Sequence, residues 1–141
     1  MTQNKFDVSF QSDIYKVNDI VDNSLRFLKN NFPLLNDNNL MEFRLIFCEL
    51  LFNAVIHGNK QDAGKNVFFS INVTGGYVNS IVSDEGNGFD YNKALKISCM
   101  AENIFLESGR GIRLVKSLVD RLDFDTNGST VKFCKKVESD G

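Results

Sequence analysis

Apolar and polar residues alternate first at Phe6, Val8 and Phe10, the period of a strand with one buried face. The period then lengthens, and Val17, Ile20, Val21, Leu25 and Leu28 fall at helical spacing. The lone proline, Pro33, and the Asn-rich stretch Asn36 to Asn39 close that helix and lead into another, with Asp37 or Asn38 as its cap. The second helix is expected from about Leu40 to Ile56, with Phe43, Ile46, Phe47, Leu50, Leu51 and Ala54 apolar and Gly58 as its stop. Two strand-like runs, Asn66 to Val73 and Tyr77 to Ser83, flank Thr74-Gly75-Gly76 and predict a hairpin. Residues Tyr91 to Glu107 are neither periodic nor turn-rich throughout, and read as a short helix with a flexible connection. Ile112 to Leu122 is a third main helix, with Leu114, Val115, Leu118 and Val119 apolar. Arg121 to Asp125 and Ser129 to Val137 then flank Asn127-Gly128, the strongest short hairpin signal in the chain.

The elements run β-α-α-β-β-α-β-β, with no internal repeat, linker or low-complexity segment. That order predicts one α/β domain over residues 1–141: a sandwich with a mixed, mainly antiparallel sheet covered by helices on one face. At 141 residues the chain is long enough to bury a real core, and 43% hydrophobic with 24% charged residues is a globular balance. A net charge of −2 with scattered Lys and Arg gives no electrostatic footprint for nucleic acid. Met1 to Phe10 holds no signal-peptide core, and no apolar stretch approaches the roughly 20 residues that span a membrane. Cys48, Cys99 and Cys134 are odd in number and lack C-x-x-C spacing, so three reduced thiols in a cytoplasmic protein are expected.

Three segments stand out chemically. In Glu49-Leu-Leu-Phe-Asn53-Ala-Val-Ile-His57-Gly58-Asn59, steps of four residues place Glu49, Asn53 and His57 on one helical face. A carboxylate there suits a general base, and an asparagine oxygen is a hard ligand suited to Mg²⁺. An isolated E-x-x-x-N is ordinarily a solvated face, but these polar residues interrupt a strongly apolar helix. His57 is read as a cap or loop contact rather than a catalyst. In Asp84-Glu-Gly86-Asn-Gly88-Phe89, a carboxylate at a strand end can accept a hydrogen bond from an exocyclic amine such as that of adenine, with glycines leaving room for a flat base. Alone, an Asp-Gly turn is the commoner meaning. Ser108-Gly109-Arg110-Gly111-Ile112 opens a helix, where free N–H groups hold anions and Arg110 can add a charge-assisted contact. It is no Walker A loop, and by itself reads as an ordinary loop.

Taken in order, the three segments resemble the N, G1 and G2 boxes of the GHKL (Bergerat-fold) ATPases, which include gyrase, histidine kinases and mismatch-repair ATPases. Within that superfamily the wording is most similar to the small anti-sigma factor serine kinases. Glu49 through Lys60 resembles their helix and following turn, and Asp84-Glu85-Gly86-Asn87-Gly88-Phe89-Asp90 their G1 box. Glu102-Asn103 through Ile112, then Leu118-Val119-Asp120, resembles their lid end and G2 helix, and the tail from Asn127-Gly128 to Val131 and Lys135 follows the same pattern. The likeness runs from about Asn39 to Lys136. Relatives commonly carry a V-P-D-P-like stretch after the G1 box, where this chain has Asn92-Lys-Ala-Leu-Lys-Ile-Ser-Cys-Met100, so its lid departs from theirs.

The resemblance implies a Bergerat ATP-binding fold binding ATP and Mg²⁺. It makes Glu49 the general base, Asn53 the Mg²⁺ ligand and Asp84 the adenine-reading carboxylate. Gly86 and Gly88 shape the base pocket, and Ser108, Gly109, Arg110, Gly111 and Ile112 hold the phosphates. It further implies phosphorylation of a Ser or Thr on an antagonist (an anti-anti-sigma, STAS-type protein), sequestration of a sigma factor, and a homodimer. Two other functions compete: a non-catalytic module that uses ATP only to set its conformation, and a detached catalytic domain of a histidine kinase. Retention of Glu49 favours the kinase, because a pure binder needs no base there.

Overall fold

The computed structural model describes residues 4–86, 107–125, 127 and 129–137. Its elements are β1 (Lys5–Gln11), α1 (Ile14–Asn31), α2 (Asp37–Asn53), a π-helical segment (Ala54–Gly58), β2 (Asn66–Thr74), β3 (Tyr77–Ser83), α3 (Glu107–Leu118), β4 (Arg121–Phe124) and β5 (Thr130–Lys136). Their order matches the sequence reading. The strands form one sheet, β1-β2-β3-β5-β4, and every pairing among the described residues is antiparallel, a narrower case of the mixed sheet expected. The connection read over residues 91–107 lies, apart from Glu107, outside the described residues.

Alternation decides which sheet face is covered. Val67, Phe69 and Ile71 of β2, Val78 and Val82 of β3, and Val131 and Phe133 of β5 are buried on the same side as Phe10. The opposite face exposes Phe68, Tyr77 and Ile81 among polar neighbours. Glycine makes the β2–β3 hairpin possible: Gly75 and Gly76 both have positive φ, 58° and 82°, as the tight mirror-image turn requires.

Three helices close the buried face. Val17, Ile20, Val21 and Leu28 of α1, Phe43, Ile46, Phe47, Leu50 and Leu51 of α2, and Ile112 and Val115 of α3 are all in the core. Asp13 caps α1 by accepting the Tyr15 N–H at 2.9 Å. Asn36, rather than Asp37 or Asn38, caps α2 by accepting the Asn39 N–H at 2.8 Å. Phe47 sits at the centre of the assembly. Its ring meets Phe69 edge-on at 5.2 Å and lies 5.9 Å from both Phe43 and Phe133, joining α2 to two strands. Lys135 occupies an inward-facing position on β5, opposite Val78. Its ammonium donates to the Leu118 carbonyl at the C-terminal end of α3, pairs with Glu42 of α2 at 3.3 Å, and lies over the Phe43 ring.

The packing predicts that Phe47→Ala lowers unfolding free energy by about 3–5 kcal/mol, as removal of a buried phenyl ring does. Phe68→Ala, on the open face, should cost less than about 1 kcal/mol. Urea denaturation measures both, and equal losses would show that Phe47 is not the centre of the core.

Candidate functional site

Helix α2 carries its polar side chains where its apolar face runs out. Glu49 is half-buried, Asn53 one turn later is buried, and the Asn53 carboxamide nitrogen donates to Glu49 Oε1 at 2.9 Å. The amide is thereby oriented, with its nitrogen on the carboxylate and its carbonyl oxygen as the remaining hard donor. Among the described residues no group of three or more His, Cys, Asp or Glu side chains is placed to hold a metal. The Asn53 oxygen would suit a divalent ion whose remaining ligands are waters and phosphate oxygens, a mixed set that Mg²⁺ accepts.

Beyond Asn53 the winding changes. Over Ala54–Gly58 the helix widens into a π turn, and the Asn59 N–H reaches back five residues to the Ala54 carbonyl at 2.8 Å. Steps of four no longer keep one face, and His57 is exposed while Glu49 and Asn53 stay together. The face shared by three residues in the sequence reading is thus a face of two. The chain then reverses through Lys60 and Gln61, both in the left-handed region at φ 53° and 59°. Neither is glycine, so this reversal costs of order 1–2 kcal/mol per residue.

The second segment meets the first directly. Asp84 leaves β3 with its N–H donating to the Ser129 carbonyl at 2.9 Å, and its Oδ1 accepts the Gly86 N–H at 2.8 Å. The carboxylate lies against Gly58, where any side chain would overlap it, and Gly86 lies equally close to the Gly58 carbonyl. Only glycine fits at either position. Burial raises the Asp84 carboxyl above the ordinary carboxylate range; the Gly86 N–H partly offsets this, Asp125 adds to it and Lys65 opposes it. Gly88, assigned to the same pocket, lies outside the described residues.

Sequence reasoning missed Asn59, which it quoted without a role. Its side chain is 1% exposed and makes three hydrogen bonds. Nδ2 donates to Ser12 Oγ at 2.6 Å and to the Asn66 carbonyl at 2.9 Å, while Oδ1 accepts the Glu85 N–H at 2.8 Å. The Glu85 carboxylate in turn accepts the Asn66 N–H at 2.5 Å. A polar residue directly after a helix-stopping glycine was the available signal, but its burial depends on three distant segments.

The third segment is helical earlier than expected. Helix α3 begins at Glu107 rather than Ile112, so Ser108, Gly109, Arg110 and Gly111 lie within it, and it ends at Leu118 rather than Leu122. The side chains of Ser108 and Arg110 are outside the description. Gly111 is pressed against the Glu49 carboxylate, and a methyl group there would overlap it. The N-terminal half of α3, with its positive dipole end, is thereby laid over Glu49. Ile112 is fully buried in the core, so any ligand contact of its own comes from its backbone. Cys48 and Cys134 are free, and burial raises both thiols, which keeps them protonated in neutral solution.

Comparison with known proteins agrees with this fold. The sequence model for the histidine kinase-like ATPase domain matches residues 19–135. The anti-sigma F factor of Geobacillus thermodenitrificans is 28% identical over 100 residues, covering 69% of this chain and 68% of that one. The anti-sigma F factor of Bacillus subtilis is 24% identical over 102 residues, 70% of each chain. Among solved structures, the mycobacterial sensor histidine kinase MprB aligns over 96% of this chain and 99% of that one, with a TM-score of 0.53 and 16% identity, a likeness of fold. No helix among the described residues is long and apolar enough to cross a membrane.

A carboxyl whose pKa is raised by folding stabilises the fold when protonated and withdraws that stability as pH climbs through the raised value. Asp84→Asn keeps the oxygen that accepts the Gly86 N–H and removes the buried charge. The nucleotide-free variant should therefore be more stable than wild type at pH 7, by about 0.5–2 kcal/mol, as replacements at destabilised sites commonly give. Thermal melts from pH 7 down to pH 4 should show the gain shrinking as Asp84 protonates. A variant less stable than wild type at pH 7 would contradict the assignment.

Proposed function

The chain belongs to the histidine kinase-like ATPase (GHKL) family, and from that premise we propose that it is an ATP- and Mg²⁺-dependent serine/threonine protein kinase. Its substrate is a small regulatory antagonist of the anti-anti-sigma (STAS) type, and its output is the capture or release of a sigma factor by a homodimer. The similarity to proteins named anti-sigma F factor supports the regulatory setting. One observation carries the catalytic reading: Glu49 is tied to Asn53 on one side and packed beneath Gly111 on the other. That puts a carboxylate, a hard metal ligand and a helix N-terminal region in one place.

Each group then has a task. Asp84 accepts a hydrogen bond from the exocyclic amine of adenine, in a pocket kept open by Gly58 and Gly86. Backbone N–H groups in the first turn of α3, which have no intrahelical partners, hold the phosphates. The Asn53 oxygen would hold a magnesium ion, which when bound would supply positive charge to offset that developing on the phosphates. In transfer, the serine or threonine oxygen bonds to the γ-phosphorus as the bond to the β,γ-bridging oxygen breaks. ADP leaves with that electron pair, and Glu49 receives the hydroxyl proton.

Calorimetry should show ATP binding in the presence of Mg²⁺ and its loss in Asp84→Asn. Glu49→Ala should retain binding while transfer of labelled phosphate to an antagonist encoded nearby falls about 10²–10⁴-fold. Normal ATP affinity in Asp84→Asn would sink the adenine assignment. If wild type transfers no phosphate yet ATP tightens its complex with that antagonist, the chain is the non-catalytic module.

A further inference from the structure

We propose that Asn59 is the positioning residue for base recognition: it fixes the peptide that follows Asp84, and so sets the direction in which the Asp84 carboxylate faces the nucleobase. The inference rests on the adenine-reading role given to Asp84 above, and extends it to the group that makes that reading selective. The Asn59 oxygen accepts the Glu85 N–H at 2.8 Å, and that N–H belongs to the peptide unit joining Asp84 to Glu85. Holding this unit holds the backbone torsion of Asp84.

Asn59 is itself held in one orientation. Ser12 Oγ donates to the Lys65 carbonyl at 2.9 Å, so it is left to accept from Asn59, which requires nitrogen on that side of the amide. The Asn66 carbonyl makes the same demand at 2.9 Å. A flipped carboxamide would set oxygen against two acceptors and N–H against N–H. The ends of β1 and β2, the reversal after the π segment and the exit of β3 thus meet on one buried amide. The packing of Gly58 on Asp84 and Gly86 sets how closely these groups approach, and it makes no hydrogen bond to the Glu85 N–H. The amide supplies the restraint.

The two supports can be separated. Asn59→Ala removes the hold on the Glu85 N–H. Ser12→Ala removes one partner of Nδ2 and the Ser12–Lys65 bond, but leaves the Glu85 contact in place. Inosine triphosphate carries a carbonyl where ATP carries its amine, so it repels a correctly placed carboxylate. Affinities of wild type, Asn59→Ala, Asn59→Ser and Ser12→Ala for both nucleotides, measured by calorimetry on protein shown to be folded by circular dichroism, test the idea. Wild type should prefer ATP by at least about 100-fold, as sites built around a substrate hydrogen bond do. Both Asn59 variants should lose about tenfold or more of that preference. Ser12→Ala should melt at a lower temperature with its preference within about twofold of wild type.

Asn59→Ser is the gentler variant, because its hydroxyl still bonds locally yet falls short of the Glu85 N–H. A wild type that binds both nucleotides alike overturns the role of Asp84, and this proposal with it. A wild type that discriminates, alongside Asn59 variants that discriminate equally well, overturns this proposal alone. Equal loss of preference in Ser12→Ala and the Asn59 variants also overturns it, since general loosening would then be the cause.

Discussion

The absence of a side chain at residue 58 is the constraint on which the site depends. Gly58 lies against the Asp84 carboxylate and its carbonyl lies against Gly86, so two segments far apart in sequence interlock at backbone distance. Neither contact survives a β-carbon. Because Gly58 closes the π turn that begins one residue after Asn53, the interlock also fixes how far α2 stands from the exit of β3. Glu49 and Asn53 are therefore placed relative to Asp84 by a continuous stretch of chain, without a hinge between them. The far end of the same helix segment is held by the aromatic contacts of Phe47, which join it to β2 and β5.

Several local features of this site cost free energy. Asp84 is a buried carboxyl with a raised pKa, two consecutive non-glycine residues adopt positive φ, and glycines occupy the first turns of α3. Each glycine in a helix costs roughly 0.5–1 kcal/mol relative to alanine. The Gly86 N–H offsets only part of the cost at Asp84, so the core between three helices and the covered sheet face must carry the rest. Their clustering within one region, while the rest of the chain follows ordinary capping and alternation, is what a binding site looks like in energetic terms.

The same division explains what the sequence disclosed. Strand alternation at Phe6, Val8 and Phe10, the two hairpins and the apolar faces of α1 and α2 were legible because each depends on a short period or a local turn. Glu49 and Asn53 were legible as a pair because one regular helical turn separates them. His57 leaves the face of Glu49 and Asn53 because a step of four presumes α-helical winding, whereas from Ala54 the backbone makes bonds to the fifth residue back. The start of α3 was placed at Ile112 because Gly109 and Gly111 read as helix breakers, whereas Gly111 is glycine to clear Glu49. Asn59 carried no role in the sequence because its nearest side-chain partner, the Asn66 carbonyl, is reached only through the reversal after the π segment. Its other partners, Ser12 and Glu85, lie 47 and 26 residues away.

The two halves of the site rest on unlike supports, and this bears on how they respond to a ligand. Around Asp84 every described polar partner is a short, buried or half-buried hydrogen bond, and the backbone contacts leave no slack. The Asp84 side of the site is therefore held in place without a ligand. Around Glu49 the upper wall is α3, anchored by Ile112 and Val115 in the core and by Lys135 at the Leu118 end. The described anchors lie from Ile112 onward, and Gly111 just before them rests on the Glu49 carboxylate. On the function proposed, a phosphate chain arriving there would compete with Glu49 for the same helix end, and the glycines make that end the cheapest part of the helix to rewind. On that proposal, charge at the phosphates would be coupled to the placement of Glu49, while the Asp84 side stays fixed. An enzyme of the proposed function, which holds ATP firmly and yet admits a protein substrate at the γ-phosphate, would draw on this asymmetry between its two ends.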